Sequence, residues 1–330
     1  MKKLLNSPDT YVDDMICGLC AAYPSLVLEQ PRCRVVRAID APRKGKVGIV
    51  SGGGSGHLPL FTGYVGPGMI DSCAIGEVFA GPTVDACKSA MRAADGGRGV
   101  LRLYGNYGGD RMNFDLAGEL LEDEGIKSTT VLGTDDVASA PPAESQKRRG
   151  VAGLIYAYKI AGAKAAGDAD LDEVTRVAQK AVDHTRTIGV ALSPCQIPGA
   201  SAPTFTLAAN EIEMGMGIHG EPGIWRDTMK PADAVADEMT DRVLAERPAG
   251  IRRVSILLNS LGATPLEELF ILYRRIAAKL RETKIQITHP MIGHWATSME
   301  MAGVSLSLLF LDEELEQLLM VPARSPFWRV

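Results

Sequence analysis

Apolar and polar positions along this chain follow two different periods. In the first half, short apolar runs that suit buried strands alternate with stretches whose apolar residues recur at the spacing of an amphipathic helix. The pattern predicts strands at Lys46–Val50, Gly99–Tyr104 and Ser128–Leu132, and helices at Val84–Ala94 and Met112–Glu124. Such alternation is typical of a parallel sheet with helices on its faces.

The alternation continues through the second half of the chain. Further helices are predicted at 151–166, 170–183 and 231–245 and in a segment ending at Leu280, and further strands at 187–192, 253–258, 285–292 and 304–310. The fold class is therefore α/β, with two α/β domains that each have a central, mostly parallel or mixed sheet flanked by helices. We place the domains at residues 1–183 and 184–330, and the first ~15–30 residues are candidates for packing on the second domain.

Composition narrows the class of protein. The chain has 330 residues, a formal net charge of −5 and a pI near 5.7. It shows no basic stretch interleaved with aromatics, so nucleic acid is not an expected partner. Six cysteines are too sparse for a disulfide scaffold, and we expect them to be reduced. The segment Cys17-Gly18-Leu19-Cys20 resembles half of a zinc or redox site, but a second pair at the usual spacing is missing.

The hydropathy of the chain indicates whether it carries a signal peptide or a membrane-spanning helix. The N-terminus becomes polar at Asn6-Ser7-Pro8-Asp9 before a signal-length apolar region develops. No stretch approaches the ~20 apolar residues that a membrane-spanning helix needs. We expect a soluble, cytoplasmic protein with no membrane partner.

Two histidines framed by glycines are the candidate chemistry. They occur in Ser51-Gly52-Gly53-Gly54-Ser55-Gly56-His57 and in Gly215-Met216-Gly217-Ile218-His219-Gly220-Glu221-Pro222-Gly223. The first run is expected to form a turn after the strand ending at Val50. It lacks the Gly-Lys-Ser/Thr ending of a Walker loop and the third glycine of a dinucleotide fingerprint, so it is only a weak nucleotide signal.

Six blocks together resemble one family. They are the 51–57 run, Asn106-Tyr107-Gly108-Gly109-Asp110, Arg148-Arg149-Gly150-Val151-Ala152, Phe205-Thr206-Leu207 with Asn210-Glu211, the 217–223 run and Asn259-Ser260-Leu261-Gly262-Ala263-Thr264-Pro265. In order and spacing, the chain is similar to the substrate-binding subunit of dihydroxyacetone kinase (DhaK-type, Dak1 domain family).

The resemblance implies site residues. The residue matching His219 would hold a ketose covalently as a hemiaminal, and those matching His57 and Asp110 would act on the hydroxyl to be phosphorylated. The predicted contacts to the substrate are Gly53, Gly54, Ser55, Gly56 and Gly105. Asp110 is also a candidate N-cap for the helix that follows it. His184, His289 and His294 are expected to be structural.

The resemblance also implies partners. This chain would bind no cofactor or metal itself. A nucleotide-binding, all-helical (DhaL-type) kinase subunit would carry ATP or ADP with Mg²⁺, or be rephosphorylated by a phosphotransferase protein. A homodimer is expected by analogy.

Three departures from the family pattern concern the substrate. Leu58 stands where a glutamate is usual, Gly105 replaces the usual lysine, and the stretch between the helix carrying Arg242 and the strand at Arg253 is short. A larger ketose, such as erythrulose or apulose, would fit the lost charge and bulk. Two alternatives stay open: a ketose sensor that acts through a regulatory partner, and a nicotinamide-dependent oxidoreductase.

Overall fold

The computed structural model describes residues 2–30 and 34–329. Its helices are α1 Tyr11–Ala22, α2 Val84–Ala94, α3 Gly108–Glu122, α4 Leu154–Ala166, α5 Leu171–Asp183, α6 Ala232–Leu244, α7 Leu266–Glu282 and α8 Glu313–Met320. Its strands are β1 Leu26–Gln30, β2 Val35–Ala38, β3 Gly48–Ser55, β4 Ser72–Val78, β5 Val100–Gly105, β6 Ser128–Gly133, β7 Thr185–Ser193, β8 Glu211–Met214, β9 Trp225–Thr228, β10 Arg253–Ser260, β11 Gln286–Gly293 and β12 Ala302–Phe310.

The chain divides into two compact units. The first contains the chain up to Gly133, the segment Ile155–Ala181 and the chain from Gln317 onward, and the second contains Thr134–Leu154 and Val182–Glu316. The chain passes from the first unit into the second between Ala181 and Val182, close to the boundary expected at residue 184. The N-terminal segment belongs to the first unit and not to the second. Residues 134–154, expected in the first domain, belong to the second unit, and residues 317–330, expected in the second domain, belong to the first.

A six-stranded sheet forms the centre of the first unit. Its strand order is β1-β2-β4-β3-β5-β6, in which β4, β3, β5 and β6 run parallel while β1 and β2 pair antiparallel. On one face, α2 and α3 pack through a core that includes Cys87, Met91, Phe114 and Leu121. The carboxyl ends of the parallel strands meet at one edge, which is where ligands bind in sheets of this kind.

The second unit also has a six-stranded sheet. Its order is β11-β10-β12-β7-β8-β9, and only β10 and β11 pair in parallel. The apolar faces of α6 and α7 pack on this sheet. The predicted α/β class with two mixed sheets is therefore confirmed. The prediction that 285–292 and 304–310 form a final strand pair is wrong, because β11 and β12 each pair with β10, which lies between them.

The helix at Val84–Ala94 has the predicted bounds, and most other predicted elements lie within a few residues of their positions. The glycine run was placed wrongly: Gly52–Ser55 are the last residues of β3 and not a turn after it. The pattern also missed α1, α8 and the short strands β1, β2, β4, β8 and β9.

Five cysteines are free thiols, namely Cys17, Cys20, Cys73, Cys87 and Cys195, while Cys33 lies outside the described residues. Burial raises the pKa of Cys73 and of Cys87. Those two thiols are therefore chemically quiet core residues.

Long-range polar contacts attach the segment 134–154 to the second unit. Thr187 N donates to Asp135 O at 2.7 Å, and Val137 N donates to Thr187 O at 3.0 Å. Arg148, only 1 % exposed, donates from both terminal nitrogens to Glu246 at 2.7 Å each and from Nε to Ala140 O at 2.8 Å. Loss of this buried guanidinium is costly, because Glu246 keeps its charge and is then paired through Arg186, whose Nε donates to its Oε2 at 3.0 Å, without the bidentate bond.

We therefore expect Arg148→Ala to lower the free energy of unfolding by about 3 kcal/mol. The neighbouring pair Lys147–Glu144 has side chains that are 62 % and 47 % exposed, so Lys147→Ala is the matched control. It should cost less than about 1 kcal/mol. Urea denaturation measures both. Equal effects of the two substitutions would contradict the assigned role of Arg148.

Candidate functional site

His57 follows directly on the central strand β3. The side chain is 1 % exposed, and Gly56, with φ +98°, makes the turn that delivers it. Its ring stacks on Phe79, with centroids 4.9 Å apart and planes 21° apart, and meets Phe61 edge-on at 6.2 Å and 75°. The imidazole is thus held by aromatic rings on two sides.

The glycines of β3 make room for these rings. A Cβ on Gly53 would lie 2.2 Å from Cζ of Phe61, and a Cβ on Gly54 would lie 2.9 Å from Cα of Phe79 and 2.7 Å from N of Ala80. Both distances are far below van der Waals contact. Glycine at these two positions is therefore a packing requirement, whatever contact their backbone makes with a substrate.

Asp110 lies in the first turn of α3 and is 8 % exposed. The N-cap position belongs to Tyr107, so the capping alternative for Asp110 was wrong. Phe114 on the same helix stacks on Tyr104 of β5, with centroids 4.4 Å apart, and Asn113 Nδ2 donates to Pro82 O at 2.8 Å. These contacts fix the helix end that carries the carboxylate.

The candidate residues of the first unit lie at one edge of its sheet. His57 follows β3, Gly105 ends β5, and Asp110 follows β5 after a short turn. A Cβ on Gly81, which follows the neighbouring strand β4, would lie 2.9 Å from Oδ1 of Asp110. The loops after β4, β3 and β5 therefore contribute to one cluster, as the order of these parallel strands requires.

Ser55 adds a hydroxyl to this cluster. It is the last residue of β3 and is 4 % exposed, yet its Oγ has no hydrogen-bond partner within residues 2–30 and 34–329. A buried hydroxyl without a partner is destabilising, and a ligand bound beside it would satisfy it.

His219 lies in the second unit, in the loop between β8 and β9. Gly215 N donates to Gly189 O and Ile224 N to Met214 O, each at 2.7 Å, so both ends of the loop are tied to the sheet. Ser298 Oγ donates to the carbonyl oxygen of Ile218 at 2.5 Å, next to the histidine. The imidazole therefore projects from a loop that hydrogen bonds anchor at both ends and next to the histidine.

Glu221 holds the His219 side chain and its backbone at the same time. Its Oε2 accepts from His219 N at 3.0 Å, and its Oε1 lies 2.9 Å from Nδ1. Burial raises the pKa of Glu221, but the hydrogen bond and charge of His219 outweigh burial and bring that pKa to about 2. Because an ionised carboxylate can only accept, Nδ1 carries a proton, and in the neutral ring the lone pair is on Nε2.

Arg149 contacts both Glu221 and the start of the His219 loop. It donates from Nε to Asp136 Oδ2 at 2.9 Å and from one terminal nitrogen to Gly215 O at 3.0 Å, and the other terminal nitrogen lies 3.9 Å from Oε2 of Glu221. Burial raises the pKa of Asp136 to about 6, although the guanidinium opposes the rise. Arg149 therefore connects the loop, Glu221 and a buried acid.

Gly217 and Gly223 leave space for the groups packed around the His219 loop. A Cβ on Gly217 would lie 2.1 Å from Oε2 of Glu221 and 2.6 Å from a terminal nitrogen of Arg149, and one on Gly223 would lie 2.2 Å from Met214 O. Gly223 N also donates to Oε1 of Glu213, a carboxylate 3 % exposed, at 2.6 Å.

Sequence reasoning assigned no role to Glu221 or Arg149, although both lie in the quoted blocks. The available signal was a carboxylate two residues after a histidine, in a loop where glycines allow the chain to fold back. Of the other histidines, His184 contacts Phe310 O through Nδ1 at 2.9 Å, which is a structural role.

Among residues 2–30 and 34–329, no group of three or more His, Cys, Asp or Glu side chains is arranged to hold a metal ion. Within the same residues, none of the helices has the length and apolar character needed to cross a bilayer.

Residues 17–327 match the family described as the Dak1 domain. The L-erythrulose 1-kinase of Mycolicibacterium smegmatis is 45 % identical over all of this chain and 58 % of its own length. The dihydroxyacetone-binding subunit DhaK of PTS-dependent dihydroxyacetone kinase 2 from Listeria innocua is 41 % identical over the full length of both chains. The chain thus spans little more than half of the first relative and all of the second.

Solved structures give the same picture. The dihydroxyacetone kinase of C. freundii in complex with AMP-PNP and Mg²⁺ is 34 % identical, with a TM-score of 0.91 over 99 % of this chain and 61 % of its own. The dihydroxyacetone kinase operon co-activator DhaQ is 30 % identical, with a TM-score of 0.90 over 96 % of this chain and 98 % of its own. The resemblance to DhaK-type subunits is confirmed, and the kinase among these relatives binds a nucleotide analogue with Mg²⁺.

The contact of Gly223 with the backbone leads to a stability prediction. Gly223→Ala should lower the free energy of unfolding by about 1–3 kcal/mol, because the added methyl group meets a carbonyl of β8 that cannot move alone. Gly18→Ala is the control, since a Cβ there has no atom within 4 Å and the residue lies in α1. It should stabilise by about 0.5–1 kcal/mol. Thermal unfolding that shows no loss for Gly223→Ala would contradict the proposed crowding.

Proposed function

The chain belongs to the Dak1 domain family, and from that premise we propose that it is the ketose-binding subunit of a dihydroxyacetone-type kinase. In this proposal His219 binds a small ketose covalently as a hemiaminal. His57 and Asp110 then activate a substrate hydroxyl for phosphorylation. The observation that supports the proposal is the pairing of His219 Nδ1 with the Glu221 carboxylate, which keeps a proton on Nδ1 and makes Nε2 the basic nitrogen of the neutral ring.

The covalent step balances with the residues at hand. The lone pair of Nε2 forms a bond to the ketone carbon, and the π electrons of the carbonyl move to its oxygen, which takes up a proton. The ring becomes positively charged at this stage, and Glu221 stabilises that charge through Nδ1. The Nδ1 proton then passes by way of Glu221 to water, and water supplies the proton that the alkoxide takes up, so the ring ends neutral and Glu221 ends ionised. Only a carbonyl compound can react in this way, so covalent capture selects ketoses over polyols.

The second step is phosphoryl transfer. An alcohol is a poor nucleophile until a base removes its proton, and general bases typically contribute about 10²–10⁴-fold to rate. His57 is the proposed base and Asp110 the assisting carboxylate. Ser55, Gly53, Gly54, Gly56 and Gly105 are the proposed contacts to the substrate, and the buried Ser55 hydroxyl supports this assignment.

The phosphoryl donor belongs to a partner in this proposal. The described residues offer no cluster of metal ligands for Mg²⁺ with a nucleotide, and their relative from C. freundii binds AMP-PNP with Mg²⁺. We assign ATP or ADP with Mg²⁺ to a helical DhaL-type subunit or domain. A homodimer acting in the cytoplasm completes the proposal.

The proposed substrate is a ketose of the erythrulose class. Leu58 and Gly105 remove charge and bulk relative to the family pattern, and a relative that is 45 % identical is an L-erythrulose 1-kinase. Dihydroxyacetone and apulose are the other candidates. Gly105 is buried at the end of β5, so a side chain at this position would lie inside the fold and not on the surface.

A second candidate function is ketose sensing through a regulatory partner. It is favoured by the similarity to the co-activator DhaQ. A sensor needs a ketose-binding residue but has no use for a base that activates a hydroxyl. The behaviour of His57 therefore separates the two functions.

We predict that intact-mass analysis shows an adduct of the chain with erythrulose that His219→Ala abolishes. His57→Asn should keep the adduct but lower the rate of phosphorylation at least about 100-fold, because it removes only the base. Phosphorylation is measured with ATP, Mg²⁺ and the part of M. smegmatis L-erythrulose 1-kinase that this chain does not match.

His294→Ala, at an exposed histidine, is the control for both measurements and should change neither. An adduct that survives His219→Ala would refute the covalent role of that residue. An adduct without phosphorylation in the unmodified chain would favour the sensor.

We also predict that Gly105→Lys, which restores the family's usual residue, lowers kcat/KM for erythrulose at least about tenfold relative to dihydroxyacetone, since a side chain then occupies the space of the extra carbon. Leu58→Glu tests the lost charge in the same assay. If both variants keep the unmodified chain's ratio of kcat/KM values, the two positions do not determine ketose size.

A further inference from the structure

Phe61 and Phe79, which enclose the His57 ring, both have backbone conformations that bulky residues rarely adopt. Phe79 has φ +59°, in the left-handed region, and Phe61 has φ +72° and ψ −96°. These conformations cost free energy and persist only where the surrounding structure enforces them, and they cluster at functional sites. Two such residues on one histidine call for a functional explanation.

Packing of the core does not supply that explanation for Phe79. Its side chain is only partly buried, whereas Phe61 is 6 % exposed. Its position is instead set by the turn after β4, where Phe79 N donates to Ser55 O at 3.0 Å and Ala80 N donates to Glu77 O at 3.1 Å. The turn holds the Phe79 ring against the face of the imidazole at 4.9 Å.

Gly53 and Gly54 complete the arrangement. Any side chain at Gly53 would occupy the place of the Phe61 ring, and any at Gly54 would push away the backbone of Phe79. The strand therefore gives up two side chains at the point where the phenylalanines approach His57. Four residues from three chain segments, Gly53, Gly54, Phe61 and Phe79, therefore determine the orientation of the His57 ring.

We propose that Phe79, assisted by Phe61, is a positioning residue for His57, an inference that rests on the proposed function of His57 as a base. The stacked face fixes the plane of the imidazole, and the edge contact with Phe61 restricts its rotation. A ring nitrogen thereby stays directed at the substrate hydroxyl. A small misplacement of a base is enough to slow proton transfer markedly.

The test compares Phe79→Leu with Phe79→Tyr. Both keep a large side chain at this position, but only tyrosine keeps an aromatic face on His57. Phe79→Leu should lower kcat for phosphorylation about 10–100-fold with KM and the His219 adduct nearly unchanged. Phe79→Tyr should retain kcat within about threefold, as expected if the aromatic ring is what matters.

Phe327→Leu is the matched control. Phe327 is also half-buried and aromatic-packed, with its ring centroid 5.9 Å from that of Tyr23. This variant should leave kcat unchanged. A similar loss in Phe327→Leu and Phe79→Leu would show a general structural effect and overturn the proposal.

A spectroscopic readout needs neither partner nor substrate. The chain has five histidines, and the ring-proton resonances of His57 are assigned as those missing from His57→Asn. Stacking displaces these resonances, so Phe79→Leu should move them towards the positions of unstacked histidine, while Phe79→Tyr should not. If the His57 resonances do not move in Phe79→Leu, the positioning role of Phe79 is refuted, even if the kinase proposal holds. If they move but the unmodified chain has no kinase activity, the proposed function is refuted and Phe79 has only a structural role.

Discussion

The absence of a side chain at a few glycines is the constraint on which both candidate histidines depend. Gly53 and Gly54 leave the space in which Phe61 and Phe79 meet His57, and Gly217 leaves the space in which the Glu221 carboxylate meets His219. In each case a Cβ would lie within 3 Å of the group that holds the imidazole or of its backbone. These glycines thus allow a neighbouring side chain to contact each histidine, in addition to any role of their own backbone.

The two histidines have different surroundings, and these suit different chemistry. His57 is enclosed by aromatic rings in a fully buried position, where orientation is the property that the neighbours control. His219 instead contacts the ionised carboxylate of Glu221, which lies near Arg149. This carboxylate determines the tautomer of the ring and stabilises a positive charge on it. A base for a hydroxyl needs the first kind of control, and a nucleophile that becomes positively charged needs the second.

The sequence predicted the α/β class and the helix at Val84–Ala94, because periodicity is a local property. The family resemblance put forward His57, Asp110 and His219, whose catalytic roles stay a prediction. It misplaced Gly52–Ser55 in a turn, since glycine alone indicates a turn and only packing against Phe61 and Phe79 explains it in a strand. It also could not place 134–154, whose attachment depends on Arg148 reaching Glu246 across 98 positions of the chain. The role of Glu221 required the fold-back of a loop that spacing does not reveal.

The central claim is that Nε2 of His219 forms a bond to the ketone carbon. Chain labelled with ¹⁵N-histidine and mixed with erythrulose carrying ¹³C at its carbonyl tests this directly by NMR. The account predicts a tetrahedral carbon resonance with one-bond coupling to a histidine nitrogen, and that coupling must vanish in His219→Ala. A labelled carbon that stays a ketone or its hydrate, with no coupling to nitrogen in the unmodified chain, would contradict the account.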